Sequence, residues 1–194
     1  MGLRRLTAQR NAIGSATTLR VRSWPLELVN GTPPGVDEVA EEIEALRAQV
    51  APDLFIGFDP SQWPTTSVPA LALAAAATRH GDELGERVSL ALRDALFEQG
   101  RDVSDPGVLA DLAAGHGLPL AADGDRDAVV ADWAEGRARG VEGSPHFFLG
   151  DRSFFCPTLE ITRIDDRLEV TLDASRFEQF LAVALPDDGP ATSS

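Results

Sequence analysis

Apolar residues along this chain fall first at helical and later at strand spacing, and the change of period organises the sequence. Leu3 and Leu6 share a face of a short helical stretch, Leu3 to Arg10, which Asn11 to Ser15 breaks. From Thr18 to Trp24, Leu19, Val21 and Ser23 alternate with Arg20, Arg22 and Trp24 up to Pro25, predicting a half-buried strand. Val39, Ile43, Leu46 and Val50 then recur opposite Glu38, Glu41, Glu42 and Arg47, so residues 36–50 read as an amphipathic helix. Pro52, Pro60 and Pro64 interrupt the next stretch, where Leu54, Phe55, Ile56, Phe58 and Trp63 predict a loop held down by its aromatics.

Ser67 is the expected cap of a helix that runs to Arg79, with Pro69 in its first turn and Gly81 closing it. A longer helix follows from Asp82 to about Glu98, with Leu84, Val88, Leu92 and Leu96 in a row and Gly100 as the stop; the two should pack as a hairpin. Ser104-Asp105-Pro106 starts another helix, buried through Val108, Leu109 and Leu112 and ended by Gly115 and Gly117. Asp125 to Arg139, anchored by Val129 and Trp133, is the last of this series. Beyond residue 140 the runs shorten: His146 to Leu149, Glu160 to Ile164 and Leu168 to Leu172 read as strands, the last two joined through Asp165-Asp166-Arg167. Asp173 or Ser175 opens a final helix carrying Phe177, Phe180, Leu181, Ala184 and Leu185, and Pro186 to Ser194 is an expected polar tail.

Composition narrows the chemistry. With 43% hydrophobic residues in 194, the chain can bury a core, which excludes a fibrous or disordered class. A formal net charge of −14 argues against a nucleic-acid surface, which needs basic side chains to neutralise phosphate. All 17 basic residues are Arg, a pattern of coding bias that points to no partner. No run reaches the length of a membrane span and Met1 to Arg10 lacks an apolar stretch, so the expected setting is cytoplasmic, with no membrane partner.

Cys156 is the sole cysteine, so an intrachain disulfide and a Cys-rich zinc site are both excluded. His80, His116 and His146 have no ligand-like spacing, and no metal is expected; His80 and His116 sit where a helix C-terminus favours a cation. Ser144 has no His and Asp partners at a recognisable spacing, which leaves no case for a hydrolase. The acidic runs Asp37 to Glu44 and Asp82 to Glu86 read as solvated helix faces, Phe147, Phe148, Phe154, Phe155, Phe177 and Phe180 as core, and Trp24, Trp63 and Trp133 as packing residues, with the lining of a substrate groove as the alternative.

The most informative segment is Gly140-Val141-Glu142-Gly143-Ser144-Pro145-His146-Phe147-Phe148-Leu149, where a glycine-flanked proline follows a helix and precedes an apolar strand. It resembles the proline loop of DsbA-like disulfide oxidoreductases. The likeness extends through Phe154-Phe155-Cys156-Pro157 to the closing hairpin and helix, and Arg22 to Asn30 looks like that family's second strand and the turn leaving it. The resemblance implies an α/β, thioredoxin-like fold with a helical insertion, N-terminally truncated. Residues 1–35 and 140–186 would form the sheet domain, 36–139 the helical insertion leading into the proline loop, and 187–194 a flexible tail.

It further implies that Pro145 follows a cis bond and that Ser144 and Pro145 bind substrate, with the main chain before the proline facing an extended peptide; His146 beside them either joins that substrate site, as a donor to a thiolate or a general base, or packs on the strand. Family members carry Cys-x-x-Cys at the start of their first helix, where the dipole stabilises a thiolate. Here Met1 already falls inside that helix, and the missing piece would be about 5–6 residues of strand plus the redox turn. Either the start codon lies too far downstream or the motif has been lost; the helix tail at Leu3 to Arg10 favours the former.

Three functions follow. The first is a thiol–disulfide oxidoreductase lineage acting on polypeptide thiols or disulfides, inactive as this chain, with Cys156 either a further thiol or, more simply, a small buried apolar residue. The second is a glutathione-dependent activity, because 2-hydroxychromene-2-carboxylate isomerases and kappa-class glutathione transferases share the architecture; otherwise no cofactor is expected. The third is a non-catalytic polypeptide-binding module. Oligomeric state is not encoded in any of these features.

Overall fold

Helices form wherever the 3.6-residue period runs, and hairpins form where it gives way to short branched and aromatic runs. The computed structural model describes residues 2–186. The helices are α1 (Gly2–Ile13), α2 (Leu26–Asn30), α3 (Val36–Gln49), α4 (Val68–Arg79), α5 (Asp82–Phe97), α6 (Pro106–Gly115) and α7 (Asp123–Ala138). The strands β1 (His146–Leu149), β2 (Arg152–Phe155), β3 (Leu159–Ile164) and β4 (Arg167–Leu172) follow, and α8 (Ala174–Ala184) ends the series. The expected tail, 187–194, lies outside the described residues. Described residues of Met1–Thr18 and Val141–Ser194 make up one compact unit, and Leu19–Gly140 another.

The Leu19–Gly140 unit is built around α4. Its Ala70, Leu73, Ala74 and Ala77 are buried with Val88, Leu92 and Ala95 of α5 and with Leu109 and Ala113 of α6. Helices α4 and α5 come close where Gly85 meets Thr78. A Cβ on Gly85 would lie 2.2 Å from Thr78 Oγ1 and 3.0 Å from Thr78 Cα, so only glycine fits there. Helix α7 also packs on α4, and the Arg79 guanidinium pairs with Asp125, whose side chain is only 3% exposed. Asp125 in turn accepts the Ala122 N–H at 2.7 Å, tying down the start of α7. Asp105 caps α6 by accepting the Gly107 and Val108 amides.

The loop between α3 and α4 is packed by aromatics, as expected. Phe55, Phe58 and Trp63 gather around Phe97 at centroid separations of 5.6 to 6.3 Å, and the Trp63 indole donates to Pro34 O. The Glu98 carboxylate holds the loop by accepting the Phe55 and Ile56 amides.

Three local expectations are corrected. Thr18 to Trp24 is irregular, not a strand. The Ser23 N–H, which a ladder would have used, donates to Asp132 Oδ2 at 2.8 Å, and Arg22 pairs with Asp132 at 2.6 Å and Glu135 at 3.3 Å. Leu26–Asn30, read as a turn leaving that strand, is a short helix closed by Gly31 at φ 79°. Ser67 does not cap α4 with its own side chain. Its hydroxyl donates to Glu27 of α2 at 2.6 Å, and the same carboxylate accepts the Ser67 amide, so the cap comes from a residue 40 positions upstream.

In the other unit, β1 pairs antiparallel with β2 and β3 with β4, giving two two-stranded sheets. The β3–β4 turn is Asp165-Asp166, both left-handed at φ 47° and 59°, the geometry of a two-residue hairpin loop. Asp173 caps α8 by accepting the Arg176 N–H. Phe180 of α8 is fully buried, and its ring lies 4.7 Å from Phe147 and 5.3 Å from Phe154, a cross-strand pair on one face of the first hairpin.

Candidate functional site

Geometry concentrates around the proline that leads into β1. Phe147 and Phe154 point toward Phe180, so the alternation of a strand sends His146, Phe148 and Phe155 to the opposite face. The ladder does not stop at the last strand pair, His146 and Phe155. The Cys156 amide donates to Pro145 O at 2.9 Å, fixing the proline one pair further on. The Ser144–Pro145 peptide bond is cis.

Behind the loop lies the start of α1. Gly2 is buried there, and a Cβ on it would come within 3.0 Å of Pro145 Cγ and 3.6 Å of Thr158 Oγ1. Thr158 and Pro157 are buried too, and Leu6 of α1 is 1% exposed. Gly143 rests directly on Phe155, its Cβ position only 2.9 Å from the ring. The Glu142 N–H donates to His146 Nδ1 at 3.2 Å, and the imidazole stacks on Phe148. Ser144 is thus the exposed tip of a loop whose flanks are held at Glu142, Gly143 and Pro145.

Cys156 sits beside this loop in a left-handed conformation, φ 39°, and is half-buried. Burial pushes its thiol above the ordinary cysteine value, against smaller opposing effects from the Leu159 amide and Arg176. Arg176 donates to Phe155 O at 2.7 Å, so its charge is already committed to the strand end. Burial thus disfavours the Cys156 thiolate, the form that acts as a nucleophile.

The structure brings Ser144, Pro145, His146 and Cys156 together at one hairpin. His80 and His116 lie at the C-terminal ends of α4 and α6, and no group of three or more His, Cys, Asp or Glu among the described residues could hold a metal ion. Trp63 is a packing residue. Trp133 lines a shallow surface cavity of about 320 Å³ with Ala134, Arg137 and Ala138, and Arg137 lies over its ring. Among the described residues no helix is long and apolar enough to cross a membrane. Sequence reasoning missed the Glu142 amide bond to His146, because nothing in residue type or spacing marks a side chain that turns back on its own loop.

No curated protein and no solved structure gives a significant match to the chain. The family model of the DSBA-like thioredoxin domain does match, over residues 1–169 of the 194. That stretch contains α1, the whole helical unit, the Ser144–Pro145 loop and both hairpins almost to the end of β4, and the chain belongs to the DSBA-like thioredoxin domain family.

Proposed function

We propose that this chain, a member of a thiol–disulfide oxidoreductase-type family, holds extended polypeptide at the Ser144 loop without turning over disulfides. The observation that carries the reading is Ser144 itself: an exposed residue at the tip of a loop pinned on both sides, by the Cys156 amide on Pro145 and the Glu142 amide on His146. A pinned loop presents its main-chain N–H and C=O in one geometry, which suits recognition of an extended backbone. Ser144 and Pro145 make the contact.

Turnover of disulfides by these 194 residues lacks the chemistry it needs. Exchange proceeds through a thiolate and a mixed disulfide that a second thiol resolves, and the chain has one cysteine, whose ionisation burial opposes. The test has two arms. In fluorescence anisotropy the 194-residue chain retains a labelled, permanently unfolded polypeptide, and in an insulin-reduction assay with dithiothreitol it adds nothing to the background rate. Turnover above the background contradicts the second arm, and its survival or loss in Cys156→Ser tells whether Cys156 supplies it; failure to retain the polypeptide contradicts the first. Retention on immobilised glutathione, competed by free glutathione, would replace the polypeptide with a small thiol as the ligand.

A further inference from the structure

The Ser144 loop is closed by a side chain as well as by the hairpin ladder. Glu142 N–H donates to His146 Nδ1, so the segment from Glu142 to His146 forms a ring with Ser144 at its centre. An imidazole nitrogen that accepts a hydrogen bond carries no proton, which leaves Nδ1 bare. The ring is itself held in place. It stacks on Phe148 at 4.6 Å with 17° between planes, and lies 5.8 Å from Phe155, its partner across the hairpin. Phe155 is also the surface on which Gly143 rests, so one aromatic ring supports both the loop and the histidine that closes it.

We propose that His146 is a positioning residue for polypeptide bound at Ser144: it acts through the Glu142 amide and not by touching the substrate. The proposal rests on the reading of Ser144 as the polypeptide contact. A loop that is ordered before binding spares the complex the cost of ordering it. The bond joins residues four apart across a turn, and among the described residues no main-chain hydrogen bond holds Glu142, so its loss loosens Glu142 while the Pro145–Cys156 bond and the seating of Gly143 on Phe155 stay.

Two substitutions separate this role from general packing. Asparagine sets its side-chain oxygen about where Nδ1 lies, whereas glutamine reaches to about the Nε2 position. The probe is a fluorescein-labelled peptide of alternating valine and serine, titrated with the whole chain, and Glu142 amide hydrogen exchange is measured on the same samples. His146→Gln is expected to weaken binding about fivefold or more and to speed Glu142 exchange, while His146→Asn stays within about twofold of the parent in both. His146→Ala is expected to behave as glutamine does and serves if the glutamine variant fails to fold. Equal binding by the asparagine variant and by the glutamine or alanine variant overturns the positioning role and leaves the Ser144 reading standing. A parent chain that does not bind the peptide overturns that reading and the positioning role with it.

Discussion

The Cys156 amide donates to the carbonyl of Pro145 at 2.9 Å, one pair beyond the last strand pair of the first hairpin. This bond makes Cys156 a structural neighbour of the loop through its main chain, while its thiol is half-buried. The consequence is a measurable reluctance to react. Because burial raises the thiol above its ordinary value, labelling by a soluble maleimide at pH 7 should run more slowly than for an unfolded-chain cysteine. The rate should keep climbing at pH values where a free cysteine has levelled off; fast, pH-independent labelling near neutrality would contradict this.

Glu27 gives a pH-dependent contribution to stability. Burial opposes its ionisation, but the hydrogen bonds from Ser67 and Thr66 outweigh that and hold its carboxyl below the ordinary value of 4.5. A depressed carboxylate stabilises the fold above its unfolded value, and that gain is lost as pH falls through the folded value. Glu27→Gln should therefore lower stability by about 0.5–2 kcal/mol at pH 7, the range of a lost helix cap, with the difference shrinking below about pH 4.5. Urea melts of parent and variant at pH 7 and pH 4 measure it.

Gly85→Ala tests the close approach of α4 and α5. Helix propensity alone would favour alanine by about 1 kcal/mol. The new methyl, however, falls 2.2 Å from Thr78 Oγ1 and 3.0 Å from its Cα, and the backbone atom cannot rotate away. A net loss of about 1–3 kcal/mol is expected, read as a lower thermal midpoint.

Asp166→Gly should act in the opposite direction. Asp165 and Asp166 both occupy left-handed conformations in the β3–β4 turn, where a side chain costs about 1 kcal/mol and glycine does not. A gain of about 0.5–1 kcal/mol in a urea melt is the expected outcome.

The helices were readable because apolar residues at three- and four-residue spacing came with local stops and starts: Asp105 before Pro106, Gly81 and Gly100 after their helices. The proline loop was readable because glycine, serine and proline between a helix and an apolar run leave few conformations open. The segment from Thr18 to Trp24 was misread for a physical reason. Alternation records which side chains are half-buried, while a strand also needs a neighbouring backbone, and Ser23 spends its amide on Asp132. Helix α2 is five residues long, too short to show a period, and the Glu27 cap of α4 acts across 40 residues. These 194 residues hold one cysteine and no Cys-x-x-Cys, so no residue pair in the sequence marked the site as a redox centre.

The most direct measurement is an amide chemical-shift map of the full chain titrated with an unlabelled peptide of alternating valine and serine. Shifts that centre on Glu142 to His146, with Ser144 the most affected, are the predicted result. Saturable binding that instead maps to the Trp133–Arg137 groove, or no binding at millimolar peptide, would contradict the account.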